Sequence, residues 1–83
     1  MKAVDVHLAA MDVLDVAFAG RPTPKEVLDE VRADLEVLAR EDLIRVLATV
    51  AADASFAAGE ARRPRMRERL SKMRLEAMLE GSQ

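Results

Sequence analysis

From Val4 to Ala77, apolar residues recur three and four positions apart, and no other feature of the chain constrains its fold as strongly. Residues spaced in this way share one face of an α-helix, which repeats about every 3.6 residues. Composition agrees with the spacing. The 83 residues include 15 Ala, 10 Leu and 5 Met, all strong helix formers, against three Gly and three Pro. Cysteine is absent and His7 is the only histidine. A disulfide framework and a thiolate zinc site are therefore excluded as staples for a small fold.

The periodicity divides into four stretches. In the first, about residues 3–19, Val4, Leu8, Met11, Leu14 and Phe18 fall on one helical face. Gly20 and Pro22 then end the helix. The rival reading of residues 3–8 is a strand paired between chains, because Val4, Val6 and Leu8 alternate with Asp5 and His7. A strand needs a partner, and no other segment resembles one.

The second stretch, about 24–39, has the clearest start. Thr23-Pro24-Lys25-Glu26 combines a capping hydroxyl, a proline at the first helical position and a glutamate at the third. Val27, Leu28, Val31, Leu35 and Leu38 make its apolar stripe, and Glu26, Asp29, Glu30 and Glu36 make an acidic face. Asp42 is read as the cap of a third helix over 42–61, whose stripe runs from Leu43, Val46, Leu47 and Val50 into alanines. The short connection predicts an antiparallel hairpin of helices two and three. Pro64 marks the next break. A fourth helix follows to about residue 79, with Met66, Leu70, Met73 and Ala77 in line and Gly81-Ser82-Gln83 as a frayed end.

The net charge of −2 conceals a division. Residues 1–60 carry six basic and twelve acidic side chains, whereas residues 61–83 carry seven and three. The chain thus reads as an acidic helical body (1–62) and a basic amphipathic C-terminal helix (63–83), two parts able to attract each other within or between chains. Arginine outnumbers lysine by 10 to 3, which together with the Ala and Val content suggests GC-rich codons and a bacterial or phage source.

Several function classes find little support. Asp5, His7, Asp12 and Asp15 interrupt the apolar N-terminal run, unlike a signal peptide, and no stretch has the roughly 18 uncharged residues of a membrane span. The expected location is the cytoplasm. A lone histidine with scattered carboxylates does not make a metal or acid–base centre. The hydroxyls of Thr23, Thr49, Ser55, Ser71 and Ser82 lie far from His7 in sequence, and Gly20, Gly59 and Gly81 are isolated, so no nucleophilic triad or phosphate loop is apparent. We expect no catalytic, cofactor-binding or metal-binding residues.

The basic segment is the most function-like feature. Arg65, Met66, Arg67, Arg69, Leu70, Met73 and Arg74 suggest a helix laid into an apolar groove with arginines gripping an acidic rim. Phe56 lies off the stripe of helix three and is read as a further interface residue. The expectation is an all-α bundle of three to four helices built on the hairpin and self-associating, acting as a non-enzymatic adaptor or inhibitor of another protein. The alternative is a nucleic-acid-binding regulator that uses residues 62–74 to neutralise phosphates. No aromatic residue is present there for base stacking, and no bulky aromatic anchor for a membrane surface.

Overall fold

The computed structural model describes residues 1–81. Among these there are three α-helices and no strand: α1 (Ala3–Phe18), α2 (Pro24–Leu35) and α3 (Arg40–Gly81). Residues 3–8 belong to α1, which removes the strand reading. The expected fraying concerned Gly81, which closes α3, and Ser82 and Gln83, which lie outside the described residues.

Local chemistry sets most helix ends. Gly20 follows α1 with φ +73°, a left-handed conformation that glycine adopts without a Cβ penalty. Thr23 has extended backbone angles and its Oγ1 accepts a hydrogen bond from the Glu26 N–H at 3.3 Å, capping α2, with Pro24 at the first turn. Two ends depart from the sequence reading. The second helix stops at Leu35 rather than 39, and the turn that follows carries Leu38 to the core. The third starts at Arg40 rather than 42. Asp42 is therefore not its cap but a first-turn residue, placed 3.3 Å from the Met1 α-amine and 3.6 Å from Arg45. Arg45 also donates to the Met1 carbonyl at 2.8 Å, which pins the start of α1 beside the start of α3.

Packing centres on α1. It lies most extensively against α3 and secondarily against α2, while α2 and α3 scarcely touch, so the hairpin is a connection rather than the nucleus of the core. Met1 sits beside Asp42 and Arg45, His7 beside Asp53, and Phe18 lines a crevice with Ala57, so α1 and α3 run parallel. Among the described residues, the buried ones are Val6, Ala10 and Val13 of α1 and Val46 of α3, and Ala9, Leu35, Leu38 and Val50 pack against the cluster of Val6, Ala10 and Val46. Ala10 and Val46 are wholly inaccessible.

The expected face of α1 is not the buried one. Val4, Leu8 and Phe18 remain 57–67% exposed, and the buried row Val6–Ala10–Val13 lies roughly 150° around the helix from them. The physical reason is size. The small Ala10, between two β-branched valines, lets the α1 and α3 backbones approach closely around Val46, whereas the larger row would hold them apart. Because α1 is apolar on nearly every side, either face could have been buried, and one chain supplies partners for only one of them.

A large amount of surface is left over. A folded 9.1 kDa chain is expected to expose about 4,900 Å². This one exposes 7014 Å². Its radius of gyration is 14.5 Å, against about 12 Å for a compact chain of this length.

The face assignment can be checked by equilibrium urea unfolding. Val46→Ala is expected to destabilise the chain by about 2–3 kcal/mol, through lost burial and a residual cavity. Leu8→Ala, on the face the sequence favoured, is expected to change stability by no more than about 0.5 kcal/mol.

Candidate interaction surfaces

The bend that creates the candidate surface lies at Gly59, not at Pro64. Gly59 has φ 72° and ψ 166°, a backbone region open in practice to glycine alone, and it is the one non-helical residue inside α3. Pro64 is accommodated within the helix just past the bend, where its missing N–H forfeits one helical hydrogen bond. Arg63 Nε donates to the Ser55 carbonyl at 3.1 Å, tying the two arms together across the bend. The alanine-rich end of the first arm opens onto this crook. Ala54, Ser55 and Ala58 face Arg63, Met66, Arg67 and Leu70 across a cleft of about 290 Å³.

Past the bend, every residue from 60 to 81 is exposed. Met66, Leu70 and Met73 remain 45%, 59% and 61% accessible along their stripe. Arg65, Arg67, Arg69, Lys72 and Arg74 surround it in solvent. Phe56 is 85% exposed, the most accessible of the large apolar side chains, and lines none of the grooves described here. It therefore stands apart from the Met66–Leu70–Met73 stripe.

The acidic face of α2 is partly occupied by its own chain. Glu30 pairs with Arg21 at 3.0 Å, and Asp29 lies 4.0 Å from Lys25. Glu26 is exposed. Glu36 sits with Arg32 at the rim of an apolar groove of about 410 Å³ between α2 and α3, lined by Leu28, Val31, Leu35, Leu43 and Leu47. This groove exists because α2 buries none of its residues completely.

A larger groove, about 650 Å³, runs between α1 and α3. Met11, Leu14, Phe18 and Ala57 form its apolar floor, and His7, Asp12, Asp15 and Asp53 surround it. One carboxylate oxygen there, Asp53 Oδ2, is inaccessible to water and makes no hydrogen bond; His7 Nδ1 lies 3.8 Å from it. A buried acceptor without a donor is unfavourable. Sequence reasoning missed this groove. Its signal was available in Asp12 and Asp15 beside the Met11–Leu14–Phe18 row, but Asp53 joins them only through the parallel packing of two helices about forty residues apart.

The remaining polar groups are engaged locally. Thr49 and Ser71 donate to the backbone carbonyls of Arg45 and Arg67, one helical turn back, and Thr23 is a cap. Among the described residues, no group of three or more His, Cys, Asp or Glu side chains could hold a metal ion, and no helix is long and apolar enough to cross a membrane. No protein-family model matches the chain, and it has no significant match among curated protein sequences or solved structures.

Gly59→Ala tests what holds the bend. An added Cβ would meet nothing within 4 Å, so any effect arises in the backbone alone. With alanine at 59, the two arms are expected to join into one helix whose remaining kink is the one Pro64 imposes. Probes at Ser55 and Ser71, measured in doubly labelled chains diluted into unlabelled protein, should then move apart toward about 24 Å, the length of sixteen residues of unbroken helix. An unchanged distance would show that contacts between the arms, rather than Gly59, set the angle.

Proposed function

We propose that this chain is a small non-enzymatic interaction module of the adaptor or inhibitor type, which docks on another protein through the helix of residues 60–81. The observation that carries the reading is that no residue of that helix is buried, although Met66, Leu70 and Met73 line up on it at helical spacing. Such a stripe gains stability only when covered, and methionines adapt to irregular grooves. The flanking Arg65, Arg67, Arg69 and Arg74 suit a partner groove with carboxylates at its rim. The acidic residues Glu26 on α2 and Glu36 just past its end, and the aromatic ring of Phe56, are secondary contact candidates.

One observation favours a second reading. The same arginines are all in solvent and could reach a phosphate backbone, as a regulator binding through residues 62–74 would require. The two readings divide on apolar contact. A phosphate-binding helix has no use for Met66, Leu70 and Met73, whereas a groove-binding helix depends on them.

Two purified variants of the full chain separate these readings: M66A/L70A/M73A and R65A/R67A/R69A. Partners captured by the unaltered chain from its native source would be identified by mass spectrometry, then purified and titrated. For a protein partner, we expect the apolar triple variant to weaken binding by at least 100-fold, given losses of about 1–2 kcal/mol at each anchor. In fluorescence anisotropy at low salt, we expect no binding to nonspecific duplex DNA or single-stranded RNA. Salt-sensitive nucleic-acid binding abolished by the arginine variant and untouched by the apolar one would replace the proposal with the regulator reading.

A further inference from the structure

We infer that the partner of helix 60–81 in the isolated protein is a second copy of the same chain: each copy lays its basic helix in the acidic groove between α1 and α3 of the other. The inference rests on the reading of residues 60–81 as a docking helix and names what that helix docks on.

Three observations converge. The first is area. The chain exposes about 2,100 Å² more than a folded chain of its mass should, whereas a stable interface needs about 800 Å² from each partner. Burying the stripe of one copy against the groove floor of the other would draw on that surplus twice, once for each exchanged helix.

The second is charge. Residues 61–83 carry a net +4 and residues 1–60 a net −6. Two basic helices lying side by side would repel, which argues against pairing through residues 60–81 alone. The groove instead presents Asp12, Asp15 and the partly exposed Asp53 around an apolar floor. The helix offers the matching pattern, an apolar stripe with Arg69 on one side and Arg74 on the other by helical phase. The α2–α3 groove lacks this match, since Arg32 and Glu36 balance each other at its rim.

The third is connectivity. Phe18 lines both the groove and the crevice that holds Met66, so helix 60–81 departs from the end of its own groove. To occupy that groove in the same chain, it would have to fold back antiparallel to residues 40–58. Antiparallel helices need a connection of about two to five residues, and here Gly59 alone is non-helical. The helix cannot reach its own groove but can reach a neighbour's. Mutual exchange about a two-fold axis satisfies both copies and closes the assembly at two.

Charge reversal with complementation tests the arrangement, using the full chain and sedimentation equilibrium. The unaltered protein is expected to sediment at twice its 9.1 kDa mass. The groove variant D12R/D15R and the helix variant R69E/R74E should each raise the dimer dissociation constant by roughly 100-fold or more, since each places like charges in contact at both exchanged sites. Mixed in equal amounts, the two variants should recover dimers. In a mixed pair, one site joins an intact groove to an intact helix, and the other joins a reversed groove to a reversed helix. All four substituted positions are exposed, and far-UV circular dichroism checks that helicity is retained. If either double variant loses helix, the single variants D15R and R69E replace the pair. Three results would each overturn the inference: an unaltered protein that stays monomeric at every concentration, variants that dimerise as the unaltered chain does, or a mixture that fails to recover. None of these affects capture of a different protein by helix 60–81, so this inference and the proposed function can fail separately.

Discussion

The close contact of α1 with α3 at Ala10 and Val46 is the constraint on which the rest of the molecule depends. Both residues are fully buried, and Val6, Val13, Leu35, Leu38 and Val50 gather around or beside them. With only four residues buried outright among those described, the core is thin for a chain of this size, and small cores leave little margin of stability. The choice of small side chains at this contact has a further effect. It turns the larger residues of α1 outward, where Met11, Leu14 and Phe18 become the floor of a groove.

Surplus apolar surface then organises the remaining features. The α2 helix lies too far from α3 to close on Leu43 and Leu47, and the helix beyond Gly59 projects with its methionine stripe uncovered. Neither disulfide nor thiolate metal site is available to make up the shortfall in burial. Charge is divided along similar lines, with Asp12, Asp15 and Asp53 surrounding the α1–α3 groove and seven basic side chains on the projecting helix. An intermolecular contact that covers the stripe would therefore also bring the opposite charges together, and hydrophobic burial and electrostatics favour the same association.

Legibility in the sequence varied with the range of the physics involved. The Thr23 cap, Pro24 at the first turn and the termination at Gly20 could all be read directly, because each acts within one helical turn. The apolar stripe of Met66, Leu70 and Met73 was also legible, since amphipathicity is a property of one helix. By contrast, the break read at Pro64 falls at Gly59. Proline is the louder local signal, but near the start of a helix it is tolerated, whereas only glycine can occupy the backbone angles found at 59. The acidic groove was not legible, because Asp53 and Asp15 become neighbours only when two distant helices pack in parallel.

What the sequence alone determined is the helical character of the chain, the positions of its clearest caps and the separation of an acidic body from a basic helix. These follow from local hydrogen bonding, side-chain spacing and charge, none of which requires knowledge of distant contacts. Only the tertiary structure decided which side of α1 is buried, that α2 and α3 stand apart, and that the helix beyond Gly59 is left exposed. The reason is that α1 carries apolar residues on nearly all sides, so its spacing permits more than one packing. The selection was made by volume at one long-range contact, where Ala10 lets Val46 come close and a larger side chain would not.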